Sequence, residues 1–352
     1  MSLAKFAPDL RVGLVDAGLR RDIPLGETVP PQIKPFLVHL GLWDKFASSG
    51  HCPSYRTLSA WGDSRLYANE FLLHPNQIGW RLDRTAFDRM LVDAAAPRVA
   101  SLIKGRVVDL VLQGDRFRAL LSDGAEHEAS FVVDATGRAA ALARKCGLRP
   151  VSADRLIGCC IRAPSLTDGA EGLMIESFAD GWWYTAAIPG GDRVLICMTD
   201  ADHVKPLRLS SAQSLLDRLA DTRYVKQLAD LGKLSERPLM RLAGSSFVEP
   251  SAALPLLCVG DAASCYDPIS GQGIVKALCS AIFGSYAVGD WLRRADESGT
   301  SRYRQTLRRE FSAYRTTLRN YYALERRWPE SPFWRRRHMM RSATVVSASA
   351  SS

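Results

Sequence analysis

The segment that most constrains the fold runs Leu256-Leu-Cys-Val-Gly-Asp261 and continues through Pro268 to Gly271-Gln-Gly273. Its apolar run predicts a buried strand, and residues 271–294 have the spacing of a long helix. Glycines in such a loop let a ligand approach the backbone, while the helix N-terminus presents unpaired N–H groups and partial positive charge. A carboxylate at the strand end can accept hydrogen bonds from sugar or ribityl hydroxyls. The pattern therefore predicts a ligand site.

Two other apolar runs end in a similar way. Residues 11–16 suit a buried parallel strand that ends at Asp16, and Phe131-Val-Val-Asp-Ala-Thr-Gly137 predicts a strand that leads into a glycine turn. Residues 83–100 have helical spacing, with Asp83 placed as the N-cap. Strands of a parallel, helix-flanked sheet are therefore predicted near both ends of the chain.

Between these strands the pattern changes to antiparallel strands. Residues 106–121 predict a hairpin around Gln113-Gly114-Asp115, residues 155–199 are rich in strands, and residues 211–232 indicate one or two helices. The sequence thus predicts a two-lobed α/β fold with a discontinuous first domain. Its expected parts are 1–150 and 245–290 for the helix-flanked domain, 151–244 for an inserted β-sheet substrate domain, and 291–352 for a basic C-terminal helix and tail.

The net charge of +9 is carried by the C-terminal segment, because residues 291–352 contain 14 Arg, no Lys and five acidic residues. Apolar residues recur there at helical spacing, which predicts a helix packed on the body with a solvated basic face rather than a nucleic-acid surface. Docking of an acidic partner is the alternative. Beyond Pro329, the RRRH cluster and the Ser/Ala-rich end predict a frayed terminus. The apolar stripe consists of Tyr303, Leu307, Phe311, Tyr314, Leu318 and Tyr321.

Several classes of protein are excluded by what the sequence contains. No apolar run approaches the roughly 18 residues of a membrane span, and the first residues do not resemble a secretory signal. The eight cysteines form no CxxC pair, which is typical of reduced thiols in a cytoplasmic protein. The six histidines form no HxH or HxxxH pair, so we expect no catalytic metal.

The Gly-Asp segment and its helix resemble those of FAD-dependent monooxygenases of the para-hydroxybenzoate hydroxylase type. Further landmarks resemble the branch that holds tryptophan halogenases and the flavoproteins that hydroxylate protein tryptophan during peptidyl quinone cofactor maturation. These landmarks are Gly26-Glu-Thr-Val-Pro-Pro31, Leu40-Gly-Leu-Trp43, Gly79-Trp-Arg-Leu-Asp83-Arg84, Asp134-Ala-Thr-Gly137 and Gly181-Trp-Trp-Tyr-Thr-Ala-Ala-Ile-Pro189. The resemblance covers nearly the whole chain.

The resemblance implies a Rossmann-like FAD-binding domain with an inserted antiparallel β-sheet substrate domain. Asp16 would hold the adenosine ribose, and Asp261 the ribityl or pyrophosphate region. Backbone N–H groups of the loop would lie at the pyrimidine edge of the isoalloxazine. The further cofactor-binding candidates are Arg81, Arg84, Gly137, Gly260, Pro268, Gly271, Gln272, Gly273 and Ile274.

The expected substrate side contains aromatic residues. Strand alternation points Trp182 and Tyr184 to one face, where they would line an aromatic substrate pocket, and Trp183 to the other. His51 and His74 fall in the region that faces the flavin in relatives, so either is a candidate base, as is Tyr184 for a catalytic role. The alternative for both histidines is an ordinary structural role.

The function implied by the resemblance is hydroxylation of an electron-rich aromatic substrate through a flavin hydroperoxide. Electrons would come from NAD(P)H or a reduced flavin, and the substrate would be a small aromatic molecule or a tryptophan of a partner protein. Halogenation is disfavoured because Tyr184 and Ala186 stand where halogenases carry two tryptophans, and His51–Trp61 contains no lysine. A geranylgeranyl-reductase-like flavoprotein is a further alternative.

The sequence departs from the family at its start. No GxGxxG occurs, and only 15 residues precede Asp16. We therefore expect that the first strand and its phosphate loop are truncated, or else that the chain is an inactive paralogue without FAD.

Overall fold

A computed structural model describes residues 1–18, 27–170, 172–233, 237–252 and 254–339. The helices are α1 (Ser2–Phe6), α2 (Ile33–Leu40), α3 (Trp43–Ala47), α4 (Arg84–Ala95), α5 (Ala141–Lys145), α6 (Ala212–Ala220), α7 (Gly273–Arg294), α8 (Ser298–Ala323) and α9 (Pro332–His338). None of these helices is both long and apolar enough to cross a membrane.

The strands in the described ranges belong to one large sheet and several small ones. They are β1 (Gly13–Asp16), β2 (Glu27–Val29), β3 (Cys52–Ser54), β4 (Arg56–Ala60), β5 (Tyr67–Glu70), β6 (Gly79–Leu82), β7 (Ser101–Lys104), β8 (Val107–Gln113), β9 (Arg116–Leu121), β10 (Glu126–Ala129), β11 (Val132–Asp134), β12 (Pro150–Ser152), β13 (Leu156–Pro164), β14 (Leu173–Phe178), β15 (Gly181–Ala187), β16 (Asp192–Asp200), β17 (Leu239–Leu242), β18 (Ser246–Val248), β19 (Leu256–Cys258) and β20 (Ser264–Cys265).

The predicted parallel strands form two separate pairs, β1 with β7 and β11 with β19. α1 and α8 pack against α7, and side chains of β19, α7 and α8 form one buried apolar cluster together with residues of the β8–β9 hairpin. Asp83 caps α4 as expected, because its carboxylate accepts a hydrogen bond from Ala86 N. The α/β class and the helix-flanked domain are confirmed.

The inserted domain is a seven-stranded sheet in the order β17-β13-β16-β15-β14-β4-β5. The two strands at one end of this order, β4 and β5, come from the first part of the chain, so the predicted interval 151–244 is too narrow for this lobe. The sequence pattern missed them because pairing of β4 with β14 joins residues far apart in the chain. In place of a second helix over 211–232, α6 is followed by short 3₁₀ turns.

The side chains of strand β15 point alternately into two apolar clusters, one on each face of this sheet. Trp182, Tyr184 and Ala186 pack in the cluster that α8 and α9 cover, whereas Trp183 packs in the cluster that α6 covers. This confirms the predicted alternation. A small sheet, in the order β2-β6-β3, lies beside the large one. The face of the small sheet that points away from the large sheet packs on α2, α3 and α4.

The C-terminal segment corrects the sequence interpretation beyond Pro329. The stripe on α8 is buried or half-buried as predicted, but the RRRH cluster is not frayed. It lies in α9, where Phe333 and Trp334 are fully buried and Arg337 forms an ion pair with Asp200. The Ser/Ala-rich end at 340–352 and Gly26 lie outside the described residues.

Many of the positive charges in the C-terminal segment form ion pairs within the chain. Several arginines of the segment pair with acidic side chains of this chain, so less charge is available to an acidic partner than the sequence indicates. These pairs are Arg293–Asp9, Arg308–Glu249, Arg315–Asp154, Arg327–Glu325, Arg336–Asp202 and Arg337–Asp200.

Candidate active site

The carboxyl ends of two parallel strands bring the glycine turns together. Asp134 at the end of β11 is aligned with Cys258 at the end of β19, and the turns at Gly137 and Gly260 follow them. Both glycines have positive φ, +69° and +58°, a conformation that favours glycine. Gly260 also donates its N–H to Ser280 Oγ at 2.8 Å, which fixes this turn against α7.

Asp261 is held by a lysine that sequence reasoning did not single out. Lys276 Nζ lies 2.8 Å from Asp261 Oδ1, also donates to the carbonyl oxygen of Ser264, and lies 4.7 Å from the ring centroid of Tyr266. The lysine side chain is buried, whereas that of Asp261 is 40% exposed. Lys276 lies three residues after Gly273 in an otherwise apolar first turn of the helix, and this position could have indicated from the sequence that it faces Asp261.

The loop before α7 is fixed by a hydrogen bond at Asp267, where it begins, and its backbone is accessible at Gly271, where it ends. Asp267 Oδ1 accepts from Ile269 N at 3.0 Å and thereby caps the 3₁₀ turn Pro268–Ser270. Gly271 follows with φ +61°, and α7 begins at Gly273. Apart from the adjoining backbone, no atom of the described residues lies within 4 Å of the point where a Cβ would stand on Gly271 or Gly273. The backbone there is accessible to a ligand at the helix N-terminus.

The Asp267 carboxyl group is buried, and burial raises its pKa to about 7, with a smaller contribution from Asp154. Its second oxygen accepts a hydrogen bond from the hydroxyl of Tyr322 on α8. A buried carboxyl directly before the open loop was not expected from the sequence, because its partners lie about 50 residues away.

Arg81 on β6 supplies a buried donor at the edge of the large sheet. Its Nε has no hydrogen-bond partner in the described part of the chain, and its Nη2 reaches only Pro53 O, at 3.5 Å. Thr28 lies opposite Arg81 in the small sheet and accepts from Tyr184 OH at 3.4 Å. The structure therefore brings Arg81 and Tyr184, two residues predicted for the site, close together.

Two further observations describe the surroundings of Arg81. A Cβ on Gly169, where φ is +82°, would overlap a terminal nitrogen of Arg81 and lie 2.8 Å from Ala187 Cβ. Burial, and secondly the charge of Arg81, lowers the pKa of Arg193 to about 10. The positive charge of this region is therefore poorly solvated, which favours binding of an anionic group.

Trp182 lies in the core, with its indole N–H donating to Tyr322 OH at 2.9 Å, and Tyr184 is nearly buried beside it. Ile269 of the open loop packs against the same apolar cluster. The predicted aromatic wall and the predicted cofactor loop are therefore adjacent, although Trp182 is completely buried in the wall and does not line an open pocket as predicted.

The remaining candidates have local partners. Asp16 Oδ1 accepts from Gly18 N, Arg84 pairs with Asp88 on α4, and His74 Nδ1 accepts from Asn76 N in a turn. His51 packs between aromatic rings and accepts from Asp83 N, and burial lowers its pKa. In the described part of the chain, the hydrogen bonds of Asp16, His51 and His74 do not link these residues to the loop at Gly271.

These features fit a flavin nucleotide. An open helix N-terminus and the unpartnered guanidinium nitrogen of Arg81 suit phosphate and pyrimidine oxygens, and the exposed part of Asp261 suits hydroxyl groups. An α/β domain that carries this site beside an inserted, largely antiparallel sheet, in which β4 and β14 form a parallel pair, is the arrangement of flavin-dependent oxidoreductases.

Comparison with known proteins supports that class. No protein-family model matches the chain. The chain is 31% identical over 342 residues, 93% of its length and 90% of the relative, to LodB of Marinomonas mediterranea, whose name places it among the FAD-dependent oxidoreductases. The chain belongs to this family of FAD-dependent oxidoreductases, and the predicted enzyme class is confirmed.

Two solved structures share the fold. CmlS, a flavin-dependent halogenase, superposes with a TM-score of 0.84 at 22% identity, over 97% of this chain and 66% of that one. QhpG, a peptidyl tryptophan dihydroxylase essential for tryptophylquinone cofactor biogenesis, superposes with a TM-score of 0.71 at 25% identity, over 96% and 74%. The predicted resemblance to the branch with halogenases and tryptophan-hydroxylating flavoproteins is confirmed.

Proposed function

We propose that this chain is an FAD-dependent monooxygenase that hydroxylates an electron-rich aromatic ring, with a tryptophan in a partner protein or peptide as the substrate. The observation that carries the proposal is the wall beside the cofactor loop. It presents Tyr184 and Ala186 where halogenases carry two tryptophans, and it packs against Ile269 of the loop. The likeness to QhpG supports a peptidyl substrate.

The residues assigned to the cofactor follow from the open and charged groups of the site. Backbone N–H groups at Gly271–Ile274 would face the pyrimidine edge of FAD, Asp261 its hydroxyls, and Arg81 an anionic group of the cofactor. Asp16 remains the proposed contact of the adenosine ribose. When bound, FAD supplies the redox and oxygen chemistry, with electrons from NAD(P)H or a reduced flavin.

The protein's own contribution is orientation and exclusion of water. Trp182 and Tyr184 are held in a rigid wall, since each side chain is buried and hydrogen-bonded. α8 and α9 cover the cluster that contains them, which keeps solvent from this face of the sheet. Because Trp182 is completely buried under these helices, it supports the wall from within the core, and we assign contact with the substrate ring to Tyr184, which keeps a small exposed fraction.

The competing reaction is halogenation, in which a lysine amine holds hypohalous acid. His51–Trp61 contains no lysine, and its basic side chain, Arg56, pairs with Glu70 at 3.3 Å on the surface. This arrangement disfavours halogenation, although the fold is shared with CmlS.

Product analysis distinguishes the two reactions. The purified chain is supplied with FAD, a reductant, oxygen, bromide and either tryptophan-containing peptides or free indoles, and the products are analysed by mass spectrometry. We expect a gain of one or two oxygen atoms on peptides, and none on matched peptides with phenylalanine in place of tryptophan. A bromine isotope pattern in the products would show that the reaction is halogenation and not hydroxylation. Oxygenation of free indoles but not of peptides would contradict the proposal of a protein substrate.

A further inference from the structure

Tyr322 on α8 joins the aromatic wall to the cofactor loop through one hydroxyl group. Its oxygen accepts from the indole nitrogen of Trp182 at 2.9 Å and lies 2.8 Å from Asp267 Oδ2. All three side chains are buried, so water does not compete for these bonds.

The direction of both hydrogen bonds follows from their chemistry when Asp267 is ionised. An indole nitrogen can only donate, so the Tyr322 oxygen accepts from Trp182 and gives its single hydrogen to the Asp267 carboxylate. Burial raises the pKa of Tyr322, which keeps the phenol protonated and able to donate. Loss of the hydroxyl would therefore leave both Trp182 and Asp267 short of a partner.

A second tyrosine of the same helix holds the loop from the backbone side. Asp267 N donates to Tyr314 OH at 2.6 Å, and that hydroxyl lies 2.7 Å from Ser245 Oγ. Tyr314 and Tyr322 are eight residues apart, so they project from the same face of α8. The residue that caps the turn before the open glycines is thus held at its N–H and at its carboxyl group.

A side chain of helix α9 packs against the ring of Tyr322. The Arg337 guanidinium lies 5.1 Å from the ring centroid of Tyr322, and its Nη2 lies 2.8 Å from Asp200 Oδ1 at the end of β16. The position of the tyrosine is therefore set by the sheet, by α8 and by α9 together.

We propose that Tyr322 is a positioning residue for FAD, whose hydroxyl, through Asp267, fixes the Pro268–Gly273 loop and so couples cofactor binding to the C-terminal helices. The proposal rests on FAD binding at this loop, which is part of the proposed function, and it does not depend on which substrate is oxidised.

The test compares Tyr322→Phe with Tyr321→Phe in the whole chain. Tyr321 is the preceding residue on α8 and packs against Trp61, and no hydrogen bond joins it to the loop in the described residues. FAD affinity is measured by flavin fluorescence, the visible spectrum of bound FAD reports its environment, and thermal unfolding reports stability.

We expect Tyr322→Phe to weaken FAD binding by about three- to tenfold and to shift the bound flavin spectrum, with Tyr321→Phe like the wild type. Asp267→Asn, which keeps an acceptor for Ile269 N, should show the same spectral shift, and it replaces Tyr322→Phe if that variant does not fold. Wild-type affinity and spectrum in both variants would overturn the proposal, as would equal losses in Tyr321→Phe. A wild-type chain that binds no FAD would overturn the cofactor assignment, whereas halogenated products with an intact Tyr322 effect would overturn only the proposed reaction.

Discussion

Lys276 Nζ lies 2.8 Å from Asp261 Oδ1, so the carboxylate that ends the Gly-Asp motif is paired with a buried cation of the helix it faces. The pairing leaves Asp261 partly exposed to a ligand while it stabilises a lysine that has little access to water. The motif therefore has a structural role in addition to the role proposed for cofactor binding.

Replacement of one member of the Asp261–Lys276 pair should lower the free energy of unfolding more than replacement of both members. Asp261→Asn leaves the buried Lys276 charge without its carboxylate, and we expect a loss of about 1–3 kcal/mol in the free energy of unfolding. Asp261→Asn combined with Lys276→Met should recover more than half of that loss. Urea unfolding of Asp261→Asn, Lys276→Met and the double variant measures the coupling, and additive effects would contradict it.

Protonation of Asp267 should make stability depend on pH. Burial raises its pKa from 3.8 to about 7, so the folded state binds a proton that the unfolded state releases between these values. The stabilisation is complete below about pH 4 and is lost as the pH rises through 7. Asp154, Arg337, Tyr314 and Tyr322 surround this group. Relative to Asp267→Asn, the wild type should lose stability over that window in chemical unfolding, and parallel pH profiles would argue against the shift.

The two neighbouring arginines of α9 should differ in their effect on stability. Arg337 and Asp200 are both almost completely buried, whereas Arg336 is 41% exposed. Arg337→Met should cost about 3 kcal/mol and expose α9 to proteolysis, and Arg336→Met less than about 1 kcal/mol. Thermal unfolding and limited proteolysis measure both. Equal effects would mean that the ion pair does not anchor the helix.

Gly169→Ala should disturb Arg81, and Gly124→Ala is a matched control. Both glycines have similar positive φ, +82° and +87°, but space is open around Gly124 and closed at Gly169 by Arg81 and Ala187. We expect Gly124→Ala to cost about 1–2 kcal/mol from backbone strain alone. Gly169→Ala should cost more and also weaken FAD binding, measured by flavin fluorescence. Unchanged FAD affinity would separate Arg81 from the cofactor.

The local elements of the site were predictable from neighbouring residues along the chain. The apolar run before Asp261, the glycines at 271 and 273 and the N-cap at Asp83 all depend on neighbours within a few residues, and the structure has each where it was predicted. The separation of Trp182 from Trp183 was predictable for the same reason, because strand alternation is a property of the backbone.

Which side chains contact each other across the fold could not be predicted from such local patterns. Tyr322 bonds to Asp267 from 55 residues away and to Trp182 from 140, and Arg337 reaches Asp200 across 137 residues. The arginine cluster predicted to fray is ordered because a buried carboxylate far along the chain receives it. Local patterns fix which backbone conformation is favourable, but partners of a buried polar group depend on how helices pack across a sheet. That packing depends on the burial of apolar surface from the whole chain.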